Sequence, residues 1–314
     1  MPVPEYVVQA CNEPNMQAKA LENLQEKGIV LLRGLFPKDD IVYVSKEAQQ
    51  VLKYPALGGS AGYYRRNSTT KFYDALLLGR PAVDVVVNES VLDLVEAYLE
   101  GTCILAEAIL RQDLGSSYVY FTLHSHTAPE RRNFIPGPHG VAALLYLQDI
   151  SEGATLYSVG SHKLDPDYGH LEDYPPEYQQ KIQDNLLRAD GLKGDLLLFD
   201  NRGFHGPEQP VESSRTVLLF HYFNVNAYGR VTKNPPPVTL NTLGHLNERQ
   251  LRALGLGADE MTKYQDNHIR GFNTHKYYGM MTRAFEAGFR VEQFERKRDL
   301  FKEQLKNKLR GRKA

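Results

Sequence analysis

The chain has only two cysteines, Cys11 and Cys103, a formal charge of −1, and no apolar run long enough to cross a bilayer. Each shortage excludes a class of protein. Two isolated cysteines build neither a disulfide framework nor a thiolate metal site, and they fit a reducing cytoplasmic setting. A chain without net positive charge exerts no whole-protein pull on nucleic acid. A membrane helix needs roughly 18 unbroken apolar residues, and the densest runs here, such as positions 195–199, are far shorter. Positions 1–17 are polar and carry neither a basic leader nor an apolar signal stretch, so no export is expected. Internal repeats and low-complexity tracts are lacking too.

What is present suffices for a sizeable core: 314 residues, 42% of them hydrophobic, with 19 Tyr and 13 Phe. One large domain is the expectation. Ala18, Leu21 and Leu24 at helical spacing predict a helix over 16–27, which Gly28 ends before the strand-like run Ile29-Val30-Leu31-Leu32. A second helix is predicted over 38–52, opened by Asp39 or Asp40 and aligning Ile41, Val44, Ala48 and Val51 on one face; a third over 85–98. From 103 to 224 the composition switches to short β-rich runs at 117–123, 141–148, 154–158, 195–199 and 216–223, separated by Gly, Pro and Asp. That pattern is the mark of an antiparallel sandwich or barrel. An insertion over 165–189, with a helix expected at 177–187, interrupts the strands as a lid. Helical spacing returns around 247–254 and from about 280. Positions 290–314 hold ten Lys or Arg against four Asp or Glu, with Val291, Phe294, Phe301, Leu305 and Leu309 near heptad spacing. This reads as a solvated helix packed through a narrow apolar stripe, with homodimerisation or an anionic partner as the alternatives.

Chemistry concentrates in two segments. In Tyr118-Val119-Tyr120-Phe121-Thr122-Leu123-His124-Ser125-His126 the period-two geometry of a strand puts Tyr120, Thr122, His124 and His126 on one face. The two imidazoles then stand about 6.5 to 7 Å apart along the backbone, a span that side chains can close onto one metal ion at about 2.1 Å each. A lone histidine on such a strand is more often a satisfied core residue. Two on one face bring four ring nitrogens that all need partners. About eighty residues on, the apolar run Leu196-Leu197-Leu198-Phe199 enters a glycine-flanked turn that presents His205, and Arg215 follows ten positions later at the head of another apolar strand. An arginine there is costly to bury without an anion, so a protein carboxylate or a ligand carboxylate should meet it.

These residues resemble the phytanoyl-CoA dioxygenase family of iron and 2-oxoglutarate-dependent oxygenases. The likeness also runs through Gly28-Ile29-Val30-Leu31-Leu32-Arg33-Gly34, Ala143-Leu144-Leu145-Tyr146-Leu147-Gln148 and the turn Val159-Gly160-Ser161-His162, where Val159 stands in place of the usual proline and His162 is read as structural. The resemblance implies a double-stranded β-helix (jelly-roll) core, mainly β with helices packed on it. Residues 1–102 would form a helical layer with the first strand, 103–230 the core with an insertion at 163–190, and 231–314 a helical extension. It further implies Fe(II) held at His124 and His205, 2-oxoglutarate gripped by Arg215, O2 as oxidant, and a small-molecule substrate, natural-product intermediates included; Tyr120 and Thr122, facing inward on the same strand, either hydrogen-bond 2-oxoglutarate or only pack.

One position departs from the family pattern: its His-x-Asp motif reads His-x-His here, with His126 in the acid's place. Exchanging a carboxylate for neutral imidazole raises the charge of the site by one unit. His126 then completes a three-histidine site, or turns away and leaves a vacancy, or the site is degenerate and the protein a non-catalytic binder. A three-histidine dioxygenase that needs no 2-oxoglutarate is a further alternative, and Glu130 or Asp200 are candidates for a displaced carboxylate. His139 lies on a loop near the metal strand and is assigned to substrate, as are Tyr64 and Arg66 in the cluster Tyr63-Tyr64-Arg65-Arg66; a plain surface role explains each equally well.

Overall fold

A computed structural model describes residues 4–11, 13–52, 69–72, 74–113, 123–126, 139–164, 170–208, 214–225, 236, 238–256 and 269–270. Its frame is a seven-stranded sheet facing a three-stranded one. The larger sheet contains β1 (Val7–Gln9), β2 (Ile29–Arg33), β3 (Thr69–Phe72), β4 (Cys103–Asp113), β5 (Gly140–Tyr146), β8 (Leu196–Asp200) and β10 (Arg215–Asn224), in the spatial order β1-β2-β8-β5-β10-β4-β3. The smaller contains β6 (Ile150–Ser158), β7 (Leu186–Gly191) and β9 (His205–Pro207), ordered β7-β6-β9. A two-residue parallel pair, β11 (Val238–Thr239) and β12 (Ile269–Arg270), lies apart from both sheets. The architecture is a jelly roll with helices.

The central strands read as unbroken apolar runs because both of their faces are covered. In β2, Val30 and Leu32 face the helices while Ile29 and Leu31 face the opposite sheet. The same alternation splits β8, with Leu196 and Leu198 on the helical side and Leu197 and Phe199 between the sheets. The helical side is covered by α1 (Met16–Lys27), α2 (Lys38–Leu52), α3 (Arg80–Val86), α4 (Glu89–Leu99) and α6 (Glu248–Ala253). At roughly 25 cal/mol per Å² of apolar surface removed from water, this two-sided burial is the main force holding the larger sheet in place.

Three expectations need correction. The helix expected at 85–98 is two, because the Asn88 side chain accepts hydrogen bonds from the backbone of Ser90 and Val91 and starts a new helix. Within the expected lid, α5 (Pro176–Asp184) ends early, and the segment read as its last turn begins β7, paired with β6. Strand β4 escapes the sequence reading altogether. The C-terminal helix proposed for dimer contact lies outside the described residues, among which no helix is long and apolar enough to cross a membrane.

Candidate metal centre

Backbone pairing between distant segments brings the histidines together. The amide of His124 donates to the His205 carbonyl at 2.9 Å and the amide of His205 returns the bond at 3.0 Å, so the two residues form one narrow antiparallel pair. On the far side His124 bridges to His170, and the Leu171 amide donates to the Leu123 carbonyl at 2.9 Å. The His126 amide is tied to the Asn201 carbonyl at 3.0 Å, and the Ser125 hydroxyl donates to the Arg202 carbonyl at 2.7 Å. Residues 123–126 are thus stitched to the turn that delivers His205. That turn needs Gly203, since a Cβ there would lie 2.0 Å from the Tyr157 hydroxyl oxygen.

The three rings converge. Centroids lie 5.0 Å apart for His124 and His126, 4.5 Å for His124 and His205, and 5.0 Å for His126 and His205. One ring nitrogen from each can be chosen so that all three fall within 4.8 Å of one another. The Nε2 atoms of His124 and His126 are 3.1 Å apart, close to the separation of two ligands bound about 2.1 Å from one ion at a right angle. His205 Nδ1 lies 2.8 Å from the Gly203 carbonyl, which only accepts, so Nδ1 carries the proton and Nε2 keeps its lone pair. Phe199 packs on the His205 ring at 4.8 Å.

Electrostatics favour neutral rings. Burial lowers the His205 pKa well below the usual imidazole value, and the neighbouring His124 and His126 lower it further. His126 shifts the same way, by burial first and then by His124, His221 and Lys71. Its side chain is hemmed in by protein yet keeps an accessible face, so burial weighs less on it than on His205. Neutral imidazoles offer lone pairs, and the donor set fits a first-row divalent cation.

The triad borders a cavity of about 210 Å³ between the sheets. One wall is the β3-β4-β10 face, where strand register sets Glu107 opposite His221, Ile109 opposite Leu219, Arg111 opposite Val217 and Asp113 opposite Arg215. Lys71, Glu107, Arg111, Arg215 and His221 line the space together with Ile109, Leu144, Val217 and Leu219. His221 is hydrogen-bonded through Nδ1 to Glu107, and its ring centroid is 5.7 Å from that of His126. Arg215 is 5% exposed and bonds Asp113 at 2.7 Å. The internal acid therefore meets the arginine.

Other expected site residues lie elsewhere. Tyr120, Thr122, Tyr64, Arg66 and Glu130 fall outside the described residues. His139 donates from Nε2 to Asp200 Oδ2 at 3.0 Å and is absent from the cavity lining, so its place is in the polar cluster around Asp200. Asp200, one residue past Phe199, points to the opposite face of β8 and is taken up there by Tyr98, His139 and Arg202. Sequence reasoning missed Lys71, Glu107 and Arg111. The period-two array Glu107, Ile109, Arg111, Asp113 is the signal that could have found the last two.

The phytanoyl-CoA dioxygenase family model matches residues 24–213. This chain belongs to the phytanoyl-CoA dioxygenase family. It is an oxidoreductase of the dioxygenase class, and the match ends just short of Arg215. Among solved structures, EctD from S. alaskensis with 2-oxoglutarate and 5-hydroxyectoine is similar at 16% identity and a TM-score of 0.55, covering 72% of this chain and 82% of that one. SnoN, a non-heme alpha ketoglutarate dependent epimerase from nogalamycin biosynthesis, is similar at 15% identity and a TM-score of 0.52, covering 68% and 84%. At such identities these likenesses establish the phytanoyl-CoA dioxygenase fold, not a substrate. No curated protein sequence matches the chain.

Proposed function

We propose that this family member oxidises a C–H bond of a small molecule, most simply by hydroxylation, using Fe(II) held by His124, His126 and His205 and 2-oxoglutarate as cosubstrate. The observation that carries the reading is the convergence of three ring nitrogens within 4.8 Å in a cavity that Arg215 also lines. Relatives of the same fold support it, since EctD was crystallised with 2-oxoglutarate and SnoN is described as dependent on it.

Once bound, iron with 2-oxoglutarate and O2 supplies the oxidising power, the cosubstrate leaving as succinate and CO2. The chain's own residues do the rest. His205, its tautomer fixed by Gly203, presents one lone pair, and His124 and His126 present the others at a near-right-angle spacing. Arg215 orients the diacid through its distal carboxylate. Ile109, Leu144, Val217 and Leu219 keep the middle of the cavity dry. His221 stands six residues along β10 from Arg215 and next to His126, at the end away from the diacid, and Glu107 fixes its ring there to meet substrate.

Anaerobic titration of the Fe(II) protein with 2-oxoglutarate, followed by succinate measurement in air, tests the reading. Binding and succinate formation are expected, both lost in Arg215→Leu with metal binding kept. Two observations favour a second reading, a three-histidine dioxygenase without cosubstrate: the described metal cluster contains no carboxylate, and Arg215 is already paired. That reading predicts O2 uptake unaffected by withholding 2-oxoglutarate.

A further inference from the structure

The acid on Arg215 has a geometry that bears on cosubstrate affinity. Arg215 donates from Nε and Nη2 to Asp113 Oδ2 at 3.1 and 2.7 Å, while Nη1 reaches the Thr155 hydroxyl at 3.4 Å. The other carboxylate oxygen, Oδ1, accepts from Arg111 Nε at 2.9 Å. Two guanidinium groups that both line the cavity therefore share one carboxylate, which is not itself among the lining residues. The three charges sum to one positive unit facing the space.

An arginine this deep in an apolar sheet needs a counter-anion when no ligand is present. Asp113 meets that need with the Nε–Nη2 edge of the fork, the edge best shaped for a bidentate carboxylate. An incoming diacid must displace Asp113 from that edge or share the guanidinium with it against like-charge repulsion. Arg111 offers the displaced carboxylate an alternative partner without leaving the strand, because residues 111 and 113 lie on the same face of β4.

We propose that Asp113 is an internal competitor for the cosubstrate's distal carboxylate, with Arg111 as the residue that draws it aside. The proposal rests on the 2-oxoglutarate reading above. It makes Asp113 and Arg111 determinants of cosubstrate affinity, and it gives their substitutions opposite signs. A purely structural role, in which Asp113 only aims Arg215, gives Asp113→Asn the reverse sign.

Calorimetric titration of the anaerobic Fe(II) protein with 2-oxoglutarate, and with pyruvate as a keto acid lacking the distal carboxylate, separates these. Asp113→Asn is expected to tighten 2-oxoglutarate by about fivefold or more, within the usual range of coupling between neighbouring sites, and to leave pyruvate unchanged. Arg111→Met is expected to weaken 2-oxoglutarate, and to do so less in the Asp113→Asn background. Should Asp113→Asn fold poorly, Arg111→Met alone still decides, since unchanged or tighter 2-oxoglutarate binding overturns the proposal. Unchanged or weaker binding by Asp113→Asn, or an equal gain for pyruvate, overturns it as well. In those outcomes the wild type still binds 2-oxoglutarate; if neither wild type nor variant binds it, the cosubstrate reading falls and this inference with it.

Discussion

Strand β8 divides two polar clusters that look alike in composition and differ in what they lack. On one side, Asp200 is fully buried and accepts from the Tyr98 hydroxyl at 2.5 Å and from Arg202 Nη2 at 2.6 Å, with His139 Nε2 at 3.0 Å. Burial alone would raise its pKa, but hydrogen bonds and charge from His139 and Arg202 outweigh it and hold the carboxyl well below the usual range. On the other side, one ring nitrogen each of His124, His126 and His205 lies within 4.8 Å of the others, the Nε2 atoms of His124 and His126 being 3.1 Å apart. The first cluster pairs a carboxylate with its donors, and the second gathers ring nitrogens of one kind, the arrangement on which the proposed metal site rests. What separates the clusters is whether acceptors face donors, as around Asp200, or ring nitrogens face one another, as in the triad.

Breaking the self-satisfied side should produce the largest effect. Asp200→Asn takes the charged acceptor from Tyr98, His139 and the partly exposed Arg202 at once and is expected to destabilise the fold by roughly 3 kcal/mol, read by chemical denaturation, with metal affinity retained by the protein that remains folded. His205→Ala should do the opposite. Loss of a direct ligand is expected to weaken Fe(II) binding by more than about a hundredfold, since even outer partners of metal ligands are worth 10–100-fold, while the melting temperature of the metal-free protein holds. If Asp200→Asn costs metal affinity and leaves stability intact, the division is wrong.

Much of the self-satisfied side is invisible in the sequence, because its partners are far apart: Tyr98 is 102 residues from Asp200 and His139 is 61. His139 reads as a loop histidine until the register of β5 and β8 brings it back over Asp200. The ligand-facing side is more legible. His-x-His on an extended segment places both rings on one face whatever the fold, and the glycine-flanked turn announces that His205 is presented. Strands β8 and β10 are readable too, since apolar residues on both faces leave no other assignment. Strand β4 is not, because Ala106, Ala108 and Leu110 alternate with Glu107, Ile109 and Arg111 too weakly to stand out beside helix α4. Its carboxylate at Asp113, and so the state of Arg215, emerges only from a pairing register across 102 residues.

A smaller effect sharpens the comparison from the metal side. His126→Asp would place a negative donor where the family pattern has one, compensating part of the cation's charge. Fe(II) affinity and succinate formation are each expected to rise by about tenfold, measured by titration and by coupled assay. A fall in both would mean that the cavity, with Lys71, Glu107 and His221 around it, is built for three neutral imidazoles.

The smallest effect is a slope, and it separates the two clusters by the pH at which each fails. His205 is held neutral in the folded protein, whereas in the unfolded chain an imidazole takes up its proton near pH 6.5. Below that value the unfolded state binds more protons than the folded one, so the stability of the metal-free protein falls as the pH drops, by up to about 1.4 kcal/mol per pH unit for one such group, until the depressed folded value is reached. Asp200 works in the other window: its carboxyl is depressed, so its contribution is complete above about pH 3.9 and is lost only as acid titrates the folded form. Melting curves of the metal-free wild type between pH 7.5 and 5.5 should therefore decline, with a shallower decline in His205→Ala. Equal slopes in the two proteins would show that the triad's neutrality is not what burial of His205 imposes.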